Sequence, residues 1–113
     1  MEVSRQNQLF GSRTRSALLV AVRLLGESYP SELAALLGVR LFAIQRALRS
    51  LEAEAVIVSR LLGRTRRVTL NPRYANYREL SALLWKLGQG DIDLQRMLAT
   101  RRRRPRRSGK PGL

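Results

Sequence analysis

The sequence predicts a mainly α-helical domain with one small β-hairpin, and three observations lead to this expectation. Apolar residues recur at spacings of three and four over most of the chain, which is the period of helices with one buried face. One segment, residues 56–70, instead combines β-branched and alternating apolar residues around a Leu-Gly-Arg-Thr turn. Glycine or proline residues separate the successive segments. A chain of 113 residues suffices for one domain with one modest core.

Three helices are predicted in the first half of the chain. Ser12 is placed to cap a helix over residues 13–25, which a glycine ends. After a short extended link, a helix over residues 31–37 and a helix over residues 41–54 follow, and a tight turn at Gly38 joins them. Two helices joined in this way, the second with exposed polar side chains, are typical of a helix-turn-helix.

The second half of the chain is predicted to contain the hairpin and two further helices. The hairpin over residues 56–70 has a basic tip. A fourth helix over residues 77–87 is expected to be broken at Gly88. Asp91 is placed to cap a last short helix, and we interpret Asp91 and Asp93 as solvated acids in its first turn, where they suit the helix dipole.

The order helix, helix, helix, hairpin, helix is the layout of a winged helix-turn-helix domain, in which the hairpin is the wing. We expect this domain over residues 9–87 and a short C-terminal helix over residues 88–100. Residues 101–113 contain seven basic residues, no acidic residue and two prolines, which predicts a disordered basic tail. We favour a nucleic-acid-binding role for this tail over the alternative, a solubilising extension.

Basic residues dominate the charge of the chain. There are 22 Lys and Arg residues against 8 Asp and Glu residues, a net charge of +14, and 20 of the 22 are arginines. The planar guanidinium group suits phosphate groups and guanine edges. Residues 40–73 contain eight arginines and only two acids, so the basic surface is expected to belong to the third helix and the hairpin. A polyanionic partner follows from this charge.

The composition argues against most catalytic and metal sites. The chain has no cysteine and no histidine, which excludes disulfides, thiolate or imidazole metal ligands and histidine-based catalysis. We therefore expect no enzyme, no cofactor and no metal. No apolar run approaches the roughly 20 residues of a membrane helix, and the first residues lack the apolar stretch of a signal peptide. A cytoplasmic, nucleoid-associated protein is expected.

Four short motifs relate the sequence to a known family. They are SELAALLGV from Ser31, IQRALRSLE from Ile44, VSRLLGRTR from Val58, and LNPRY from Leu70. With them, residues 9–87 resemble the ArsR-like winged helix-turn-helix transcriptional regulators. The resemblance implies a recognition helix in the major groove, a wing on the DNA backbone or in the minor groove, and a homodimer formed through the outer helices.

The sequence departs from the pattern of that family at three points. Arg40 stands where the recognition helix commonly opens with serine or threonine, which predicts a poorer cap. Ala55 stands where glycine commonly ends it, which predicts a costlier left-handed turn. The ligands of the metal-sensing members are missing, so metal sensing is not carried over.

Side chains on the third helix and at the hairpin tip are expected to contact double-stranded DNA. The helix side chains are expected to read base edges, and the hairpin side chains are expected to contact the DNA backbone. No acid lies close to the hairpin arginines in sequence. Phe42 is expected either to contact a thymine methyl group or to pack on its own helix. Phosphate contacts or salt bridges are the alternatives for the helix arginines. The expected DNA-binding residues are Arg40, Phe42, Gln45, Arg46, Arg49, Arg64, Arg66 and Arg67.

The fourth helix has a wider apolar stripe than a chain this small is expected to bury alone. A homodimer would cover it through Leu80, Leu83, Leu84 and Leu87, and the alternative is that Trp85 covers the body of one chain. The function predicted on these grounds is sequence-specific DNA binding as a transcriptional regulator. Two alternatives stay open: a winged-helix module that binds an acidic protein, and a non-specific nucleic-acid binder driven by the arginine-rich tail.

Overall fold

A computed structural model describes residues 10–103 of the chain, and of residues 102 and 103 it describes the backbone only. The described residues form five helices and two strands. The helices are α1 (Arg13–Leu25), α2 (Pro30–Leu37), α3 (Leu41–Ala53), α4 (Tyr77–Gln89) and α5 (Ile92–Arg103), and the strands between α3 and α4 are β1 (Ile57–Leu62) and β2 (Thr65–Leu70). The predicted fold class, mainly α with a small hairpin, is confirmed, and this order of elements is compatible with a winged helix.

Helix α1 lies at the centre of the fold. All residues from 16 to 22 are buried, so the helix is covered on every side along this stretch. It packs against α2, α3, α4 and β2. The predicted caps are confirmed, because Ser12 Oγ accepts a hydrogen bond of 3.1 Å from the Arg15 N–H, and Gly26 ends the helix at a φ of 83°.

The turn between α2 and α3 is short, and α3 ends in strained backbone. Gly38 takes the left-handed conformation at a φ of 66° and ends α2. Arg40 forms no side-chain cap on α3. At the other end, the Val56 N–H bonds to the Leu51 carbonyl and Ala55 has a φ of 63°. The costlier turn predicted at Ala55 is therefore confirmed, since a Cβ disfavours this region.

The hairpin packs one end into the core and extends the other into solvent. Its strands pair antiparallel from Ile57 opposite Leu70 to Leu62 opposite Thr65. A two-residue turn starts at Gly63, whose φ of 65° suits this position. Ser28 pairs with Val68 of β2 through two backbone hydrogen bonds of 3.0 and 2.8 Å. The link between α1 and α2 thus forms an isolated antiparallel β-bridge to the hairpin.

Helices α4 and α5 correct several predictions. Gly88 does not break α4, which continues to Gln89. The lack of a side chain lets α4 pack closely on α1 here, since a Cβ at Gly88 would come 2.7 Å from Leu24. Asp91 caps α5 as predicted, accepting a 3.1 Å bond from the Leu94 N–H, but it is buried and not solvated. Helix α5 does not end at residue 100; it continues to Arg103, so the predicted tail begins later than expected. The rest of that tail, residues 104–113, lies outside the described residues.

The predicted dimer stripe on α4 is mostly covered within one chain. Leu84 is fully buried, and Leu80 and Leu87 are half-buried against the same core. The prediction that Leu84 forms a dimer contact is therefore wrong: α4 packs on α1 and α5, and this packing hides its inner face. Leu83 stays exposed, as does Trp85, whose ring lies 4.8 Å from the Arg23 guanidinium.

Candidate nucleic-acid interface

Helix α3 presents a polar and aromatic stripe on the face opposite to the core. Four apolar residues face inward: Ile44, Ala47, Leu48 and Leu51. The outward stripe follows the spacing i, i+3, i+4, i+7 and consists of Phe42, Gln45, Arg46 and Arg49. Gln45 is half-buried and the other three are exposed. This face was predicted from the sequence period, and the structure confirms where its side chains lie.

Phe42 and Arg46 contact each other on this stripe. The Arg46 guanidinium lies 5.8 Å from the centroid of the Phe42 ring, one helical turn away. Phe42 thus packs on its own helix, one of the two predicted options, while 63% of it remains exposed. Neither Arg46 nor Arg49 forms a salt bridge with any residue in the described part of the chain. Their charges are therefore available to a ligand.

The three hairpin arginines lie in different surroundings. Arg64 is exposed in the turn and has no salt bridge to a described residue. Arg67 is half-buried, and its guanidinium lies 5.3 Å from the centroid of the Tyr29 ring. Arg66 is bound to an acid of α3 and is described next. The three arginines, which the sequence placed together at the hairpin tip, therefore differ in exposure and in partners.

Glu52, Ser59 and Arg66 form a hydrogen-bonded set, here called the Glu52 cluster. Glu52 Oε2 accepts a bond of 2.5 Å from Arg66 Nη2 and a bond of 2.6 Å from Ser59 Oγ. Arg66 Nε also donates to Ser59 Oγ over 3.2 Å. No acid lies close to the hairpin arginines in sequence, but in the structure the hairpin folds back over α3 and brings Arg66 to Glu52, 14 positions away. The cluster fixes the hairpin against α3.

A second ion pair fixes the C-terminal end of α3 to α1. Arg15 Nη2 lies 2.8 Å from Glu54 Oε1, Arg15 Nη1 donates to Ser50 Oγ, and Arg15 Nε donates to the Phe10 carbonyl over 2.8 Å. The hydrogen bond from Arg15 lowers the pKa of Glu54 below its ordinary value of 4.5. Together with the Glu52 cluster, this pair occupies both acids of residues 40–73, so neither of these two acids is left to neutralise the arginines of the stripe on α3.

Two grooves flank the outward face of α3. The hairpin groove, of about 490 Å³, lies between the start of α2, the start of α3 and the hairpin tip; it is lined by Tyr29, Pro30, Ser31, Leu41, Gln45, Arg64, Thr65, Arg66 and Arg67. The second groove, of about 310 Å³, lies between α1 and α3 and includes Arg46, Ser12 and Thr14. The structure thus gathers Gln45 and the hairpin arginines in one groove, whereas Arg46 lines the other.

Several residues of this surface were not among the predicted site residues. Tyr29 and Ser31 line the hairpin groove, and Glu52 and Arg15 fix the helix and the hairpin. The sequence offered one local signal, a tyrosine directly before the proline that starts α2. The two ion pairs join residues far apart in sequence, so no local pattern indicates them.

Comparisons of the sequence with known protein families and with curated proteins give no match. The resemblance to ArsR-like regulators therefore stays a prediction. Within residues 10–103, no group of three or more His, Cys, Asp or Glu side chains is arranged to hold a metal ion. No helix in this range is long and apolar enough to cross a membrane.

Proposed function

We propose that this protein binds double-stranded DNA, with α3 as the recognition helix of a winged helix and the hairpin as its wing. The observation that carries the proposal is the outward face of α3, where Arg46 and Arg49 are exposed without a salt bridge to any described residue. Exposed Arg40 directly precedes this helix, and Arg64 lies at the hairpin turn. Exposed arginines on a helix and an adjacent hairpin are typical of proteins that bind nucleic acid.

The dimensions of α3 suit the major groove of DNA. A helix of 13 residues is about 20 Å long and about 10–12 Å wide with its side chains, and the groove is about 12 Å wide. Arg46 and Arg49 would then reach guanine edges and Gln45 an adenine edge. Each good bidentate contact contributes about 1–3 kcal/mol of discrimination between bases.

The hairpin groove would follow the DNA backbone beside the recognition helix. Arg64 is the strongest candidate for a phosphate contact, because it is exposed and free of salt bridges to described residues. Arg66 already donates to Glu52 and Arg67 stacks on Tyr29, so both contribute less than the sequence led us to expect. Phosphate contacts of this kind position a protein on DNA without selecting a sequence.

Regulation of transcription is the role we propose for this DNA binding. A regulator needs sequence preference, whereas a binder driven only by the arginine-rich tail would lack it, and a protein-binding module would bind no DNA. Selection of bound fragments from random DNA with residues 1–103 tests the proposal. We expect a consensus site to emerge, and it should change at one base position when Arg49 is replaced by alanine.

A matched control separates base reading from general charge. Arg78 is exposed on α4, and Arg78→Ala removes the same charge away from the proposed interface. The selected consensus should be identical for Arg78→Ala and the unaltered chain. Recovery of random sequences by residues 1–103 would refute sequence-specific binding. DNA retained by the full chain but not by residues 1–103 would favour the tail-driven binder, and no DNA retained by either would favour the protein-binding module.

A further inference from the structure

The hairpin carries an uncovered leucine on the side that packs on the core. Successive side chains of a strand alternate between its two faces, so Ile57, Ser59 and Leu61 of β1 share one side. At the core end of this side, Ile57 is only 1% exposed. Near the tip, Leu61 is 71% exposed, more than any other large apolar residue that the structure describes. The core-facing side of β1 therefore continues beyond the core as an apolar surface that no described residue covers.

The contacts of the hairpin hold Leu61 beside the end of the proposed recognition helix. Ser59 Oγ donates to Glu52 of α3, and Glu52 follows Arg49 by three residues, within one turn of that helix. Leu61 follows Ser59 by two residues, about 7 Å along an extended strand. Arg66 pairs opposite Leu61, and its guanidinium also donates to Glu52. The Glu52 cluster thus sets the position of Leu61 relative to α3.

Basic residues surround this apolar tip. Residues 57–70 contain four arginines and no acid. Arg64 is exposed in the turn, and the Arg60 side chain is 69% exposed even though its Nη2 lies 3.7 Å from Glu27 Oε2. Two copies of the chain joined through such tips would bring like charges together, which is destabilising. The charge instead favours a polyanion as the partner that covers Leu61.

The minor groove of double-stranded DNA fits a leucine in a basic surrounding. This groove is about 6 Å wide, which is too narrow for a helix of about 10–12 Å but admits single side chains. Proteins that bind in the minor groove insert apolar residues, leucine among them, between base steps and kink the duplex by about 20–90°. Removing the exposed part of Leu61 from water offsets part of the cost of unstacking the bases.

We propose that Leu61 enters the minor groove beside the major groove that α3 occupies, separates one base step and bends the DNA. The proposal rests on the DNA binding proposed above, and it adds an apolar contact and a change in the shape of the DNA. It gives the two sides of the tip different tasks. Leu61 on β1 bends the duplex, while Arg64 in the turn contacts a phosphate group.

Energy transfer between dyes at the two ends of a short duplex measures the bend. The duplex carries the site selected by residues 1–103, and the full chain is added at a saturating concentration. We expect the two ends to approach each other as far as a bend of at least about 20° requires. In a second set of duplexes, 2-aminopurine replaces one flanking base at a time. Its fluorescence should rise at one step of each half-site, because unstacking removes the quenching by neighbouring bases.

Three variants at the tip isolate the side chain that bends the DNA. Leu61→Ala removes the wedge and should lose most of the bend and the rise in 2-aminopurine fluorescence. Leu62→Ala is the matched control, because Leu62 is the neighbouring leucine, is 49% exposed and lies on the opposite side of the hairpin. Leu62→Ala should keep the bend. Leu61→Met should also keep it, since methionine serves as a wedge in the same way.

Thermal unfolding without DNA provides a check on the free protein. Because Leu61 is exposed, Leu61→Ala should have the same Tm as the unaltered chain. A clear decrease in Tm would show that another part of the chain already covers Leu61, and this would overturn the proposal.

The outcomes on DNA separate this proposal from the proposed function. A bend that is lost in Leu61→Ala and kept in Leu62→Ala and Leu61→Met supports it. Straight DNA in the complex with the unaltered chain, or the same bend with all variants, overturns this proposal alone, since DNA is still bound. Failure of the unaltered chain to bind the duplex overturns both proposals.

Discussion

Replacing Glu52 by glutamine separates the structural role of the hairpin from its role in binding. Glu52 accepts hydrogen bonds from Arg66 and Ser59 over 2.5 and 2.6 Å. Bonds to a charged group contribute about 1.5–3 kcal/mol, and fully exposed ion pairs about 0–1 kcal/mol. The Arg66 and Glu52 side chains are 32% and 26% exposed, between these limits. We expect Glu52→Gln to lower the free energy of unfolding by about 1–2 kcal/mol.

Thermal unfolding followed by circular dichroism measures this loss. For a domain of this size, each kcal/mol corresponds to a decrease in Tm of about 4–8 °C. Glu79→Gln is the matched control, since it removes the same charge from an exposed position on α4. Its Tm should equal that of the unaltered chain. Equal Tm values for both variants would show that the Glu52 cluster does not stabilise the hairpin.

Glu52→Gln lowers the stability of the domain, but we expect it to strengthen binding to random DNA. Without the Glu52 carboxylate, Arg66 becomes available to a phosphate group. One additional phosphate contact makes the slope of log affinity against log salt steeper by about 0.9 on B-form DNA. We expect this change for Glu52→Gln but not for Glu79→Gln. A slope that matches the control would refute the idea that Glu52 holds Arg66 back from DNA.

Three further predictions follow from the packing and from one shifted pKa. Leu84→Ala should lower the free energy of unfolding by about 2–5 kcal/mol, because Leu84 is fully buried. Leu83→Glu should leave Tm unchanged, because Leu83 is exposed. If α4 forms a dimer, Leu83→Glu should also reduce the mass measured by sedimentation. Ala55→Gly should raise the free energy of unfolding in denaturant titrations by about 1 kcal/mol, since glycine relieves the left-handed strain at a φ of 63°. The pKa of Glu54 is lowered by the hydrogen bond from Arg15, so the stabilisation by this contact is present above pH 4.5 and is lost as the pH falls through the lower, folded-state pKa. Unfolding curves should distinguish Glu54→Gln from the unaltered chain at pH 7, and the difference should shrink as the pH is lowered below 4.5.

Local signals in the sequence were sufficient to predict the element types. Ser12 as a helix cap, Gly38 as a helix end and Gly63 at the hairpin turn each act through their own backbone or that of near neighbours. The period of α3 likewise fixed which of its residues face outward, because helix geometry alone decides this once the buried face is known. The proposed base-reading residues could therefore be named without a structure.

Contacts between distant residues could not be predicted in this way. Glycine often breaks helices, but Gly88 lies within α4 at a point where the helix packs closely against Leu24, more than sixty positions earlier in the chain. Arg66 lies beside the acid Glu52 only because the hairpin turns back over α3. The width of the α4 stripe suggested that Leu84 lies in a dimer contact, but α1 and α5 cover Leu84 within one chain. In each case the sequence did not show which elements pack against each other, because this depends on the whole fold.

The most direct test of the central claim compares Arg49→Ala and Arg64→Ala on preferred and random DNA. Arg49 lies on the outward face of α3 and Arg64 at the hairpin turn, and neither forms a salt bridge with a described residue. We predict that Arg49→Ala costs about 1–3 kcal/mol on the preferred site and much less on random DNA. Arg64→Ala should weaken binding to both by similar factors. Equal losses on both DNAs for Arg49→Ala, or altered sequence selection by Arg64→Ala alone, would contradict the account and make the hairpin the element that reads the bases.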